Sequence, residues 1–312
     1  MTTHSRSLHP GEAEPRPWLG VLGGAVAVAI WAGWISATRF AVSDPGTRVD
    51  PLVLAICRAG LPALVLAPVI WRRGLLPRGA RLLPVVLMSL GWGAPFTLFV
   101  GTGLSTVPAS LFGPLVPGLA PILVALMAWA ILGERPGRIL IAGLALIGTA
   151  MALVLGQWLM AGDMAALSGA PWLLMASAGI SLYTVMFRLS GLSPVEATAY
   201  LSLYSFPVLA IWSALHAEVL SEPTLAEWGF HLLVQGLITG VVAVLAYGMA
   251  VRHLGAVRGS TANALVPVCA ALVGGFVLGE SITSWDWVAV MLASLGVAVV
   301  NGLFRRRKRR GT

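Results

Sequence analysis

One apolar segment occurs twice in this chain, and this duplication constrains the fold more than any other feature. Residues 119–134 read LAPILVALMAWAILGE and residues 265–280 read LVPVCAALVGGFVLGE, an offset of 146 positions. In each copy a proline, Pro121 or Pro267, is followed thirteen residues later by a glutamate that ends an LGE triplet. Self-similarity at a fixed offset indicates internal duplication. We therefore expect two half-proteins with one shared architecture.

Each of these prolines is predicted to lie midway through a membrane, because apolar residues extend from it over roughly 20 Å of helix to the glutamate. A proline removes one backbone hydrogen bond and frees the carbonyl four residues earlier. Within a bilayer that carbonyl must be satisfied by protein, water or a ligand. Either proline alone is equally compatible with a kinked packing helix. Two such prolines in corresponding positions of two halves favour a transport site.

The composition places the chain in a membrane. Hydrophobic residues make up 58% and charged residues 10%, whereas soluble domains contain about 25% charged residues. The net charge of +8 does not indicate nucleic-acid binding, since six of the twenty basic residues lie in the terminal run 305–310 and most others fall between apolar stretches. Cys57 and Cys269 lie inside apolar stretches, which favours a small hydrophobic role over a disulfide or metal site. No cofactor is indicated.

Ten apolar stretches of transmembrane length follow one another along the chain. They comprise residues 18–38, 51–71, 82–102, 107–132, 137–158, 171–189, 195–215, 228–251, 257–278 and 285–304. The sequence therefore predicts an all-α polytopic membrane protein with ten transmembrane helices. Residues 1–17 are a predicted polar tail that does not resemble a cleavable signal.

The basic residues predict the orientation of the chain. If the tail 305–312 is cytoplasmic, ten spans place the amino terminus there too, and seventeen basic residues fall on the cytoplasmic side. Arg39 and Arg48 fall outside, and Arg58 lies within the second span. This agrees with the positive-inside rule. Five spans per half reverse the polarity of the second half, so residues 18–158 and 171–304 are predicted inverted repeats joined by a periplasmic link, 159–170.

This arrangement resembles the EamA family of the drug/metabolite transporter superfamily. The resemblance rests on the IWAGW cluster at residues 30–34 followed by Arg39, on AICRAGLPAL around Arg58, and on the two proline-to-LGE segments. It covers residues 18–304. Trp31 and Gly33 are separated by Ala32, where related proteins often carry a WG pair. The resemblance implies a ten-helix carrier of the bacterial inner membrane that exports or imports amino acids, other small metabolites or drugs, and it favours export.

Arg58 is the only ionisable side chain predicted to lie deep within a span. A charge there is costly against lipid, so we expect it to face the helix bundle. It can bind a substrate carboxylate or phosphate, or it can tie helices together through backbone carbonyls. Both interpretations remain open.

Further candidate substrate-binding residues lie in or beside the predicted spans. Pro267 is predicted to free the carbonyl of Asn263, so that Asn263 can meet a ligand or join helices. Gln235 and Thr239 share one helix face and can hydrogen-bond a substrate or their neighbours. Aromatic residues in mid-span can line a pocket or simply pack. The predicted pocket between the repeats comprises Trp31, Trp34, Arg58, Trp92, Pro121, Tyr183, Gln235, Thr239, Tyr247, Asn263 and Pro267.

Glu134 and Glu280 invite a proton-coupling role, but their positions favour capping of the helix that follows each one. An enzyme is not indicated, since His231 has no partner in an HExxH or similar pattern. The predicted function is alternating-access transport of a small neutral or zwitterionic molecule, such as an amino acid or an amphipathic drug-like compound, across the bilayer. The alternatives are a non-transporting accessory membrane protein and, less favoured, an intramembrane enzyme.

Overall fold

The computed structural model describes residues 16–44, 46, 49–254 and 262–302, and this part of the chain forms helices without any strand. Ten long helical segments occur in it. They are α1 (Pro17–Ser43), α2 (Pro51–Val65 and Ala67–Arg73), α3 (Leu82–Leu104), α4 (Ala109–Leu132), α5 (Arg138–Ala161), α6 (Met164–Ser190), α7 (Pro194–Leu215), α8 (Leu225–Leu254), α9 (Ala262–Leu278) and α10 (Ser284–Val300).

The prediction of an all-α polytopic membrane protein is confirmed. Seven of the described helices are long and apolar enough to cross a membrane, and α2 adds an eighth if its two bent parts form one span. The apolar helices α9 and α10 are shorter. The first residues predicted for the ninth span, the last ones predicted for the tenth and most of both predicted tails lie outside the described residues. Ten transmembrane spans therefore remain a prediction.

Helix α2 is bent within the predicted span 51–71. Its two parts, Pro51–Val65 and Ala67–Arg73, meet at 62°. Pro68 lies just after the break and has no N–H to donate to the carbonyl of Leu64. Leu66, at the break, still makes the regular helical bond, from its N–H to the carbonyl of Pro62 at 2.8 Å. The bend follows from the bond that Pro68 cannot make.

The connection between the two halves is much shorter than the predicted link 159–170. Helix α5 continues to Ala161, Gly162 adopts a left-handed conformation with φ of 66°, and α6 begins at Met164. The Asp163 side chain accepts a hydrogen bond from the N–H of Ala166 at 3.0 Å and so caps α6. Gly and Asp suit these two positions because of their conformational and capping preferences. The link is thus a tight turn between two long helices.

Helices of each half pack against helices of the other half. In the first half, α1 packs against α8 and α9 of the second half, and in the second half, α6 packs against α3 and α4 of the first. Corresponding helices also pack on one another, α2 on α7, α4 on α9 and α5 on α10. The halves therefore interlock over most of their length, and their shared interface contains every predicted site helix.

Small residues allow a close crossing between α3 of the first half and α6 of the second. A Cβ added to Gly91 of α3 would lie 2.5 Å from the carbonyl oxygen of Gly179 on α6. Such a contact is too short for any side chain, so the two backbones approach directly. The crossing places the adjacent Trp92 of α3 beside Tyr183, one helical turn further along α6.

Candidate functional site

Three helices of the first half bring a cation and two aromatic rings together. The Cζ atom of Arg58 on α2 lies 4.6 Å from the ring centroid of Trp34 on α1 and 5.9 Å from that of Phe96 on α3. Trp34 is 5% exposed and Phe96 is 3% exposed. These distances fall in the range of cation–π contacts. Arg58 therefore points at neighbouring helices of its own repeat.

The guanidinium of Arg58 keeps unused hydrogen-bonding capacity. Its Nη1 atom is buried and has no hydrogen-bond partner. Aromatic faces compensate a buried cation by about 2 kcal/mol, which is less than the cost of burying the charge. A guanidinium binds carboxylate and phosphate groups in a planar, two-pronged geometry. The arrangement around Arg58 is thus suited to an anionic group supplied by a ligand.

A row of aromatic side chains continues from Arg58 into the second half of the chain. Trp92 of α3 lies 4.5 Å from Tyr183 of α6, and Trp34 stacks on Phe96 at 6.3 Å. Edge contacts of 5.9–6.2 Å complete the sequence of rings. In order, the row is Phe187, Tyr183, Trp92, Phe96, Trp34 and Phe112. Three of the predicted residues, Trp34, Trp92 and Tyr183, therefore belong to one continuous aromatic surface.

Gln235 joins the two halves through its side-chain amide. Its Oε1 atom accepts a hydrogen bond from Nε1 of Trp34, and its Nε2 atom donates to Oγ1 of Thr38 at 3.0 Å. Gln235 and Thr38 are both fully buried. The amide is therefore occupied by α1, and Gln235 acts here on the orientation of the Trp34 ring. The sequence left two roles open for Gln235, bonding a substrate or bonding its neighbours. The geometry described here is that of the second role.

Thr239 lies near Gln235 on α8, but its hydroxyl turns back to its own helix. Residues Leu232–Val242 form a π-helix, and Oγ1 of Thr239 donates to the carbonyl of Val234 at 2.7 Å. A π-helix carries backbone bonds between residues five positions apart; it is rare, and it occurs frequently at functional sites. The hydroxyl supports that wider backbone geometry.

A second polar group lies where α1, α8 and α9 meet. The rings of Trp31 and Tyr247 are 5.5 Å apart, and the side chain of Asn263 interacts with the Tyr247 hydroxyl. The Oδ1 atom of Asn263 is buried and has no hydrogen-bond partner. None of these contacts among the described residues involves Arg58, although Trp31 and Trp34 lie within one turn of each other on α1.

The proline segment of α4 is irregular. Residues Pro114–Gly118 form a π-helix, and Pro121 begins the regular part that follows. Ser177 of α6 donates to the carbonyl of Val116 at 2.9 Å, and Ser181 donates to that of Ala120 at 3.2 Å. Two carbonyls near Pro121, those of Val116 and Ala120, thus have serine hydroxyls of α6 within bonding distance.

Pro267 occupies the corresponding break in α9. Helix α9 changes from a 3₁₀ turn, Ala262–Leu265, to a regular α-helix at Val266. A Cβ added to Gly113 of α4 would lie 2.5 Å from Cα of Pro267. Pro267 is therefore buried against α4, so the two irregular helices meet at their breaks.

The two LGE glutamates lie at opposite ends of α4. Glu280 accepts hydrogen bonds from the N–H groups of Ala109 and Ser110, at 2.7 and 3.0 Å, and lies 3.6 Å from Nε of Arg39. Glu280 therefore caps the amino-terminal end of α4, the fourth helix. The expectation that it caps the following helix is wrong, because Thr283 and Asp286 form a capping box at the start of α10.

Glu134 follows the carboxyl end of α4 and pairs with Arg188 of α6. Its two carboxylate oxygens accept hydrogen bonds from the guanidinium at 2.6 and 3.1 Å. These bonds lower the pKa of Glu134. The glutamate therefore stays charged in an ion pair and does not cap a following helix, contrary to the expectation from sequence.

Two cavities in the described part of the chain lie away from Arg58. One, of about 330 Å³, is lined by Arg39, Phe40, Ser43, Asp44, Leu278 and Glu280. The other, of about 430 Å³, is an apolar groove on α10 lined by Trp287, Val288, Met291, Leu292 and Leu295. The predicted pocket residues line neither of these cavities.

Phe96 and Ser177 contribute to the site but were not singled out from the sequence. Phe96 is one of nine phenylalanines in an apolar chain, so its type carries no signal. Ser177 and Ser181 lie four residues apart on α6, which places them on one helix face. That spacing is the sequence signal by which Ser177 could have been found.

The family of the chain follows from its comparison with known proteins. The model of the EamA-like transporter family matches residues 18–156 and 167–302. The chain belongs to the EamA-like transporter family. The two matches correspond to the two halves described above, so the internal duplication is confirmed.

Several curated relatives of this EamA-like protein are named as transporters. The "probable terminal-alkyne amino-acid exporter" of Streptantibioticus cattleyicolor is 25% identical over 295 residues, which is 90% of this chain and 96% of that protein. The "uncharacterized transporter YwfM" of Bacillus subtilis is 26% identical over 61% of this chain, and the "uncharacterized transporter YdeK" of the same organism is 31% identical over 41%. The matches span 64% and 47% of those two proteins.

A solved crystal structure shares the fold. It aligns with a TM-score of 0.55 at 20% identity and covers 93% of this chain and 100% of that chain. The likeness extends across both repeats of the EamA-like protein.

Proposed function

We propose that this EamA-like protein is a secondary transporter that carries a small organic metabolite across the bacterial inner membrane by alternating access. Its ten spans form two inverted repeats, and both termini are cytoplasmic. The substrate binds between the repeats, where α1, α2 and α3 meet α6, α8 and α9. The positive-inside distribution and the odd number of spans per repeat support this orientation.

One observation carries the proposal, the buried Nη1 atom of Arg58 that has no partner. A membrane protein rarely keeps an uncompensated charge among apolar residues unless the charge has a function. Here the guanidinium lies over Trp34 and Phe96, two adjacent rings of an aromatic row that reaches α6. An alternating-access carrier needs a site that both repeats contact, and this row provides one.

The same arrangement supports an amphipathic substrate with a carboxylate. The carboxylate would pair with Arg58, and an apolar or aromatic side chain would lie along the rings of Trp92 and Tyr183. Amino acids and amphipathic drug-like compounds fit this description. The name of the exporter from S. cattleyicolor favours amino acids and the export direction for this chain.

The proposal is tested with the purified protein in two steps. A thermal-stabilisation screen of amino acids and amphipathic compounds identifies ligands, and flux of each ligand is then measured in liposomes. We expect at least one carboxylate ligand to raise the melting temperature and to cross the membrane only in the presence of protein. Protein that binds and moves none of the compounds would favour the accessory role.

The site is tested with Arg58→Ala and with a matched control. Arg135→Ala removes an exposed arginine that follows α4. We expect Arg58→Ala to lose most of the ligand affinity and Arg135→Ala to retain it. Asn263→Ala is expected to weaken binding to a lesser extent, since Asn263 contacts Tyr247 and not Arg58. Unchanged affinity in Arg58→Ala would remove Arg58 from the site.

A further inference from the structure

Two ion pairs join the repeats at matching positions. Arg39 and Arg188 both lie 21 residues after the start of their matched family segment, and Glu134 and Glu280 both lie 22 residues before its end. Arg39 of the first repeat pairs with Glu280 of the second, and Arg188 of the second repeat pairs with Glu134 of the first. Each pair therefore links the first helix of one repeat to the fourth helix of the other.

The two pairs lie at opposite ends of the same helix. Glu280 bonds the N–H groups at the start of α4, and Glu134 follows the end of α4. Helix α4 has 24 residues, which corresponds to about 36 Å. This separation is comparable with the hydrocarbon thickness of a bilayer. One pair thus lies near each membrane surface.

Helix α4 is also the helix with an irregular centre. The π-helix Pro114–Gly118 lies between the two ion pairs, and the regular hydrogen-bond pattern is interrupted there by Pro117 and Pro121. Prolines and π-helical turns are the positions at which helices change direction. The two ends of α4 can therefore tilt separately, each held to the opposite repeat by its own ion pair.

We propose that Arg39–Glu280 and Arg188–Glu134 are the two latches of the transport cycle. Each latch closes one side of the pocket, and the pocket opens on that side when the pair breaks. The proposal rests on the proposed function, which assigns Arg39–Glu280 to the periplasmic side and Arg188–Glu134 to the cytoplasmic side. Both latches are closed in the structure described.

The two latches differ in burial and bonding. The side chains of Arg39 and Glu280 are 20% and 11% exposed, and those of Arg188 and Glu134 are 48% and 51% exposed. Arg39 also donates to the carbonyl of Leu104 at 2.6 Å. Exposed ion pairs contribute little because water competes with them. The periplasmic latch is thus the less exposed of the two, whereas the cytoplasmic latch has the closer, two-bond geometry, with distances of 2.6 and 3.1 Å against 3.6 Å.

A third pair, Arg73–Glu196, also joins the repeats. Tyr200 and Tyr204 of α7 donate hydrogen bonds to the carbonyls of Gly74 and Leu75 beside it. It connects α2 to α7 near the end of α2 and does not involve α4. We expect this pair to stay intact while α4 moves, so Arg73→Gln provides a comparison.

The test measures from which side of the membrane a thiol buried in α3, next in the chain to Phe96, can be labelled. Cys57→Ser and Cys269→Ser remove both cysteines of the chain, and Thr97→Cys adds one beside Phe96. Thr97 is 1% exposed, and its hydroxyl has no partner. A membrane-impermeant maleimide is added to whole cells, or to inside-out vesicles, and the rate of labelling is measured.

Arg39→Gln and Glu280→Gln are expected to raise labelling from the periplasmic side by about fivefold, the upper range for a partly exposed pair. Glu280→Gln keeps one oxygen acceptor, so it can retain one of the two bonds to the N–H groups of Ala109 and Ser110. Glu134→Gln and Arg188→Gln are expected to raise labelling from the cytoplasmic side only. Arg138→Gln, at an exposed position, is expected to change neither rate.

The latch proposal is overturned if the two sets of variants increase labelling from the same side, or if neither set changes it. It is also overturned if Arg73→Gln has the same effect as Arg188→Gln. Labelling requires no substrate. Failure to find a transported compound would therefore count against the proposed function, whereas unchanged labelling would count against the latches.

Discussion

Arg39 and Arg58 show two ways in which this protein places a cation. Arg39 has a carboxylate, a carbonyl and partial contact with solvent, so its charge is compensated. Arg58 has two aromatic faces and one nitrogen without a partner. A buried charge that lacks a partner lowers the stability of the folded state. Arg58 is therefore retained at a cost in stability, as expected of a binding residue.

Arg58→Met tests this conclusion directly. Methionine keeps much of the volume of the side chain but removes the charge and its desolvation cost. We expect the melting temperature in detergent to stay the same or to rise, while ligand binding is lost. A large fall in melting temperature with retained binding would instead assign Arg58 to tying the helices together.

Gln235→Leu is expected to lower stability. The substitution removes two buried hydrogen bonds and leaves Nε1 of Trp34 and Oγ1 of Thr38 without their partner, at a cost of about 1–3 kcal/mol for each group. Thr239→Val is the matched control on the same helix, since it removes a bond only to its own backbone. Denaturant unfolding of both variants in detergent measures the difference. Equal losses would contradict a special role for the Gln235 amide.

The sequence predicted which side chains are buried better than it predicted their partners. Arg58 and Trp34 were identified because a charge and an indole stand out within apolar stretches. The bonds of Gln235 to Trp34 and Thr38 join residues 197–201 positions apart in the chain. Such contacts depend on how α1 and α8 cross. The local sequence pattern of either helix does not determine that crossing.

Among the helices, α4 and α9 share an interrupted backbone but satisfy it differently. In α4 the serines of α6 bond two carbonyls beside the prolines. In α9 the 3₁₀ turn ends at Leu265, and Pro267 packs against Gly113 of α4. The two breaks are thus in contact with each other and with the opposite repeat. Movement at one break is expected to be transmitted to the other by this direct contact.

Ser177→Ala tests whether α6 supports the irregular part of α4. The substitution leaves the buried carbonyl of Val116 without a side-chain donor, so we expect a loss of about 1–3 kcal/mol in unfolding free energy. Ser168→Ala serves as the control on the same helix, because Ser168 is exposed and bonds only its own backbone. If both variants are equally stable, the bond from Ser177 does not support α4.

Helix existence followed from composition, whereas helix shape did not. Long apolar stretches predicted all of the long helical segments because burial in lipid requires a closed backbone hydrogen-bond pattern. The bend of α2, the π-helix of α8 and the early start of α6 were not predicted. They depend on a proline beside a break, on a threonine that bonds the residue five positions back and on the Asp163 cap. These are local signals that an average over twenty residues conceals.

At the scale of the whole molecule, each repeat is completed by the other. The first helix of each repeat packs on helices of the opposite one, and the two LGE glutamates bind across the same boundary. A single repeat would therefore expose its inner faces. The duplication read from the sequence thus predicts an obligatory pair of halves, and the structure adds that α4 extends between both ion pairs.

The orientation of these halves gives the last prediction. Seventeen of twenty basic residues lie on the side assigned to the cytoplasm, and each repeat has five helices, so the turn at Gly162 and Asp163 should lie in the periplasm. Alkaline phosphatase fused after Asp163 should be active, because this enzyme requires export, and fused after Arg135 it should be inactive. A fluorescent protein at the carboxyl terminus should fluoresce in the cytoplasm. If the activities of the two phosphatase fusions were reversed, the repeats would still be inverted, but the periplasmic latch would become the cytoplasmic one. If both fusions were active or both inactive, an even number of crossings would separate them, and the five-helix inverted repeat would be wrong.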